Sequence, residues 1–215
     1  MPGGDTDTEA ARDAGRLEAF SDGVFAIAIT LLVLDIHAPR GAHGEPALWR
    51  ALLALWPNYF SYAVSFLVIG SIWANHHTMF RHIRCVDRTL LWLNTLLLLN
   101  VAFFPFAASL LAEYIATPDA RVGALVYSGT LTVGGVLFNL LWGYAARDHR
   151  LLAAGSDSAR IRRISRRWRA GPLLYGLAFA VAWVSPTASL ILFAALILLY
   201  ALAPEWRPPG GRGAE

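Results

Sequence analysis

The sequence predicts an all-α integral membrane protein with six transmembrane helices per chain. Of its 215 residues, 56% are hydrophobic and only 15% are charged, and mean hydropathy is +0.47. The apolar residues stand in long blocks instead of alternating with polar ones, which is the pattern of membrane-spanning helices. Net charge is +3, and all 18 basic residues are arginine. Those arginines lie between the apolar blocks, so the basic balance reads as membrane topology and not as a nucleic-acid footprint.

Each block approaches the ~20 residues that cross ~30 Å of hydrocarbon. The first covers about 18–36, the second about 52–74, the third about 90–112 and the fourth about 122–145. The apolar stretch 170–203 is interrupted at Ser185-Pro186. Proline inside a helix removes a hydrogen bond and clashes with the preceding turn, so two short spans, 170–185 and 187–203, are expected in place of one kinked helix. Residues 1–15 and 204–215 are polar or rich in Pro and Gly and are expected to be mobile cytoplasmic tails flanking a membrane domain of 16–203. Arg147 to Arg169 is strongly basic, with Ile161, Ile164 and Trp168 at helical spacing. It reads either as an amphipathic helix on anionic headgroups or as a loop that sets topology.

Arginine placement gives the orientation. Fifteen arginines fall on one side of the spans and three, Arg40, Arg50 and Arg121, on the other, which puts both termini in the cytoplasm. Asp5, Asp7, Glu9 and Asp13 precede the first span without an apolar core, so the opening residues do not read as a cleavable signal peptide. Cys85 is the only cysteine, which excludes an intrachain disulfide and any cysteine-based zinc or redox motif. Abundant Arg and Ala without Lys hint at a GC-rich bacterial genome, and the plasma (inner) membrane of a bacterium is the expected location.

The first span carries the functional signal. At 100° per residue Phe20, Gly23, Val24, Ile27, Thr30, Leu31 and Leu34 share one stripe, whereas Asp22 points roughly 140° away from Ile27. The stripe has three open readings: lipid, another helix of the same chain, or a symmetry axis. Asp22 lies near the cytoplasmic start of this helix, at the depth of Trp73, Asn75, His76 and His77 near the end of the returning second helix. An unpaired carboxylate there is costly, so Asp22 is expected to accept hydrogen bonds from that group, assisted by Ser21 and Arg16. A structural clamp is the plainer role, and contact with a permeating ion the sharper one.

Two other classes compete. A proton-coupled secondary transporter would use Asp22, His76 and His77 as a relay, but the sequence has no inverted repeat and no candidate broken helix other than at Pro105. A metalloenzyme would need His76, His77 and His82 with Asp22, yet adjacent histidines splay to different helix faces. No HExxH, GxSxG or paired intramembrane acids are present. No catalytic residue, resident metal or cofactor is therefore expected. Thr132-Val133-Gly134-Gly135-Val136 superficially matches a TVGYG filter, but it lies inside a continuous apolar span, and its glycines, with Gly129, read as helix-packing positions.

Arg16-x-x-x-Phe20-Ser21-Asp22 resembles the RxxxFSD signature of the transmembrane protein 175 family, the lysosomal potassium channels and their prokaryotic relatives. Trp73-x-x-His76-His77-x-x-Phe80, Asn94 and Pro105-Phe106 support the resemblance, which covers roughly residues 16–112. It implies six helices per chain and a homotetramer whose first helices line a central pore. It also implies potassium as the permeant ion and a constriction of aliphatic side chains. Carried over by offset from Asp22, the constriction falls on Ile27, Leu31 and Leu34, with a polar layer at Thr30. The partners implied are further copies of the chain, potassium ions and the bilayer. Such a ring offers a cation no ligand and opposes passage by dewetting. When dilated it favours the more easily dehydrated ion.

Overall fold

The structure is a computed structural model that describes residues 4–41, 43–147, 151–152 and 158–202. Its helices, in chain order, are α1 (Gly4–Leu31), α2 (Glu45–Ala54), α3 (Trp56–Phe80), α4 (Arg88–Tyr114), α5 (Ala120–Ala146), α6 (Ser158–Val184) and α7 (Pro186–Leu202), with a 3-10 turn Leu32–Asp35 extending α1. Among the described residues, Arg12–Asp35, Arg88–Tyr114 and Ala120–Ala146 are long and apolar enough to cross a membrane, and α2 with α3 forms a fourth such unit bent by 45°. The bend falls at Leu55, two residues before Pro57, which occupies the first turn of α3. Proline is welcome there because the N–H it lacks would be unsatisfied anyway.

Three boundaries differ from the sequence expectation. α1 begins at Gly4, so residues 4–15, expected as part of a tail, continue the helix. The second apolar block, expected to start near 52, is divided by the bend at Leu55 and runs on to Phe80. The third difference concerns α6, which starts at Ser158 and joins most of the basic segment to the apolar stretch after 170 in one helix. Arg and Ala are good helix formers and nothing between Ser158 and Ala170 breaks the run, and the helix then continues through Pro172. Residues 1–3 and 203–215 lie outside the described residues.

At Ser185 the chain turns back. Ser189 Oγ donates to the Ala178 carbonyl at 2.8 Å, and the rings of Tyr175 and Phe193 stack at 6.3 Å. One unbroken helix would set those two rings roughly 27 Å apart along its axis. α4, by contrast, continues through Pro105, the place where a break was conceivable.

The buried apolar residues form two groups along the bundle. One gathers Phe25, Leu98, Phe104, Leu111, Tyr127 and Phe193. The other gathers Met79, Phe80, Leu90, Leu141, Trp142 and Trp168. On α4 the boundary between them falls at Leu97 and Leu98, one turn beyond Asn94, which is itself fully buried. At the end bearing the second group, Arg84 N–H donates to the Leu151 carbonyl at 2.8 Å, and Ile83 pairs with Leu152 in a short antiparallel bridge. Asp87 caps α4 by accepting from Leu90 N–H at 2.8 Å and also accepts from Tyr144 Oη at 2.5 Å on α5.

Glycines set the spacing around α5. A Cβ on Gly123 would meet the Leu110 carbonyl oxygen at 3.1 Å and Leu111 Cα at 3.2 Å, and one on Gly135 would meet Tyr175 at 3.2 Å. Backbone at Gly123 cannot yield as a side chain can. Gly123→Val is therefore expected to destabilise the protein by about 1–3 kcal/mol through overpacking, read as a lower midpoint in thermal unfolding of the detergent-solubilised protein. An unchanged midpoint would mean that α4 and α5 do not approach this closely.

Candidate functional site

Ser21 and Asp22 are neighbours in sequence, but a helix turns about 100° between them, and they serve different partners. Ser21 Oγ donates to the Leu17 carbonyl at 2.8 Å and accepts from Asn94 Nδ2 on α4 at 2.9 Å. Asn94 Oδ1 in turn lies 2.9 Å from His76 Nε2 on α3. An amide oxygen only accepts, so His76 Nε2 carries the proton of that bond. Ser21, Asn94 and His76 are all fully buried. The His76 ring stacks on Phe80 at 4.5 Å and tilts against Phe25 at 5.3 Å. One hydrogen-bonded trio thus ties α1, α3 and α4 together at the junction of the two apolar groups.

Asp22 turns toward α3 alone. Its Oδ1 accepts from Trp73 Nε1 at 2.8 Å. One turn earlier on α1, Glu18 Oε1 lies 2.8 Å from His77 Nδ1, and Trp73 and His77 stack at 6.1 Å. Glu18 and Asp22 are four residues apart, as are Trp73 and His77, so each pair shares one helix face and the two faces close as a zipper.

The structure corrects part of the expected Asp22 cluster. Trp73 reaches the carboxylate, but His76 serves Asn94, and His77 serves Glu18. Asn75 lines a crevice between α3, α5 and α6 with Ser71, Ile72 and Asn139. Arg16 is exposed and makes no side-chain contact of the kinds above among the described residues. The reason is angular: within 73–77 only positions four apart look the same way, so four side chains at one depth cannot converge on one carboxylate. Glu18 was missed, although its place one turn before Asp22 was the available signal. Asn94 was noted only for the resemblance, while its own signal was an amide standing among leucines in an apolar helix.

The other side of α1 is bare. Ser21, Phe25, Ala28 and Leu32 are buried, whereas Ile27 is 61%, Leu31 42% and Leu34 64% exposed. Phe20, Gly23 and Thr30 are exposed with them, and only Val24 is partly covered. Of the three readings left open for this stripe, packing against another helix of the same chain is not what the described residues show. The α-helix ends at Leu31 and tightens into the 3-10 turn. Residues three apart eclipse in that geometry, so Leu34 stays in line with Leu31. Thr30 Oγ1 donates to the Ile27 carbonyl at 2.9 Å, which commits its proton inward and leaves its lone pairs facing out.

Fold and site together define a polytopic α-helical membrane protein, with its first helix braced on one face and open on the other. Residues 16–105 match the family described as endosomal/lysosomal potassium channel TMEM175. The chain is 44% identical over 191 residues to the potassium channel Cha6605_3372 of Chamaesiphon minutus, covering 88% of this chain and 94% of the relative. It is 44% identical over 189 residues to the potassium channel B446_29190 of Streptomyces collinus, covering 87% and 91%. The crystal structure of a lysosomal potassium-selective channel TMEM175 homolog from Chamaesiphon minutus superposes with a TM-score of 0.81 at 42% identity, over 89% of this chain and 97% of that one. The chain belongs to the TMEM175 family, a family of channels.

Removing the centre of the trio breaks both of its bonds and leaves the fully buried His76 N–H unpaired, whereas removing the Trp73 donor strands one half-exposed carboxylate. Asn94→Ala is expected to cost roughly 2–3 kcal/mol and Trp73→Phe only about 0.6–1.7 kcal/mol, compared by denaturation of the two variants in the same detergent. Equal losses would show that the trio is not the main brace.

Proposed function

We propose that the chain forms a potassium-preferring cation channel, a homotetramer in a bacterial plasma membrane with both termini cytoplasmic and the bare face of α1 lining the pore. The observation that carries this is the two-sided use of α1. Its buried face is held by the polar trio and by Phe25, Ala28 and Leu32. Its Ile27, Leu31 and Leu34 stripe is exposed among the described residues. The potassium-channel names of the two bacterial relatives support the choice of ion.

Four copies of Ile27, Leu31 and Leu34 form aliphatic rings that exclude water while narrow. Dilated, they admit an ion that has shed part of its hydration, which penalises sodium more than potassium. Thr30 supplies the polar layer, because its lone pairs face away from the helix and replace part of the lost water. The hydrogen-bonded brace keeps the cytoplasmic end of each α1 at a fixed angle, so the rings of the four subunits stay level. The six spans of this reading are α1, the bent α2–α3 unit, α4, α5, α6 and α7.

Proton-coupled transport through Asp22, His76 and His77 is the weaker reading. Asp22 is engaged by an indole N–H and His76 by an amide, in separate networks. The three groups do not form a continuous relay.

Ile27→Ala and Leu34→Ala are expected to raise leak current and to lower potassium-over-sodium preference by about tenfold, equivalent to about 1.4 kcal/mol, read from bi-ionic reversal potentials in planar bilayers. Unchanged reversal potentials in both variants would remove these residues from the filter. In a Cys85→Ser background, Ile27→Cys is expected to yield covalent dimers under oxidation, as a ring around one axis requires. Exclusively monomeric bands would place this stripe against lipid.

A further inference from the structure

α6 carries an unneutralised charge pattern. Arg162, Arg163, Arg166 and Arg169 are exposed in its first half, and none has an acidic partner among the described residues. Arg162 and Arg166 are four residues apart, and Arg166 and Arg169 three, which are the spacings at which like charges repel on a helix. They also stand toward the positive end of the helix dipole. An isolated helix of this pattern would be disfavoured, yet α6 runs unbroken from Ser158 to Val184.

The same surface continues as something else. At 100° per residue Arg162, Arg166 and Arg169 share a stripe with Leu173, Leu177, Ala180 and Val184, and every one of these residues is exposed. The opposite face is used inside the bundle, where Trp142 Nε1 donates to Ser165 Oγ at 2.8 Å and Asn139 Nδ2 donates to the Trp168 carbonyl at 3.0 Å. These contacts fix how α6 is rotated. The outward stripe has a cationic portion of roughly 10 Å, from 162 to 169, followed by an apolar portion of roughly 16 Å, from 173 to 184, at 1.5 Å per residue. One leaflet of a bilayer has the same two parts in the same order, a headgroup layer followed by about 15 Å of hydrocarbon.

We infer that the outer stripe of α6 is a binding site for an anionic phospholipid of the cytoplasmic leaflet, its phosphate held by Arg162, Arg166 and Arg169 and its chains lying along Leu173 and Leu177. Guanidinium forks match phosphate oxygens two at a time, and arginine gives up its hydration more readily than lysine. A bound phosphate relieves the repulsion along the helix and opposes its dipole, so lipid binding stabilises α6 in its upright position. The inference rests on the membrane orientation proposed above.

The test uses the full chain purified from an equimolar mixture of phosphatidylglycerol and phosphatidylcholine, with retained lipids counted by native mass spectrometry. Wild type is expected to retain phosphatidylglycerol over phosphatidylcholine by about tenfold, and Arg162→Gln/Arg166→Gln/Arg169→Gln to fall to near parity. The corresponding triple Lys variant keeps the charge but loses the fork, and is expected to fall in between. If the Gln triple does not fold, Arg166→Gln alone is expected to lose about threefold of the preference. Arg81→Gln/Arg84→Gln, which removes cytoplasmic charge elsewhere, is expected to retain the wild-type preference. No preference in wild type, full preference in the Gln triple, or an equal loss in the Arg81/Arg84 variant would each overturn the site. Potassium flux from vesicles of the same lipids is measured alongside. Absent flux with intact phosphatidylglycerol retention would strike the channel reading and leave this one standing.

Discussion

A serine, an asparagine and a histidine buried where no water reaches are the interaction on which the rest of the structure depends. In a lipid-embedded bundle, apolar side chains gain little by leaving lipid for one another, so specificity has to come from close packing and from polar groups with no alternative partner. Ser21, Asn94 and His76 are hydrogen-bonded in series across three helices. Any rotation of α1 by a single residue would break the Asn94–Ser21 bond and leave a buried amide N–H without its acceptor. The trio therefore sets the azimuth of α1 as well as its contact with its neighbours.

That azimuth decides what α1 shows to the outside. With Ser21 pinned inward, Phe25, Ala28 and Leu32 follow at helical spacing into the core, and Ile27, Leu31 and Leu34 are turned out. The zipper of Glu18 and Asp22 against His77 and Trp73 is half exposed and adds less, because exposed pairs are screened. Its contribution is angular, since it resists splaying of α1 from α3 near the end of α3. One helix thus has two assignments, and the polar contacts on one face determine the chemistry offered by the other.

Much of this was legible in the sequence. Long apolar blocks announced the helices, Ser185-Pro186 announced the turn between α6 and α7, and matching of depth brought Asp22 to Trp73. Depth alone did not separate Trp73 from Asn75, His76 and His77, because that distinction is one of rotation and depends on where the neighbouring helix lies. Glu18 and the role of Asn94 escaped for the same reason, since their partners are 59 and 18 residues away in sequence. The continuity of α6 through its arginines was hidden by polarity. The basic stretch read either as a separate amphipathic helix or as a loop, and neither reading joined it to the apolar stretch that follows. The polar residues before Arg16 were misjudged similarly, as a tail instead of helix.

The pairing of Ile83 with Leu152 has a practical side. Loops joining membrane helices are the usual places to insert a fluorescent reporter or an epitope, because their ends tolerate separation. Here the connection after α3 is hydrogen-bonded to the one after α5 through Arg84 and Cys85 to Leu151, and Asp87 closes it against Tyr144. A graft at 83–87 would unstitch two connections at once. The segment between Ile36 and Gly44 makes no such cross-link among the described residues beyond its own turn, and it is the gentler place to engineer a label.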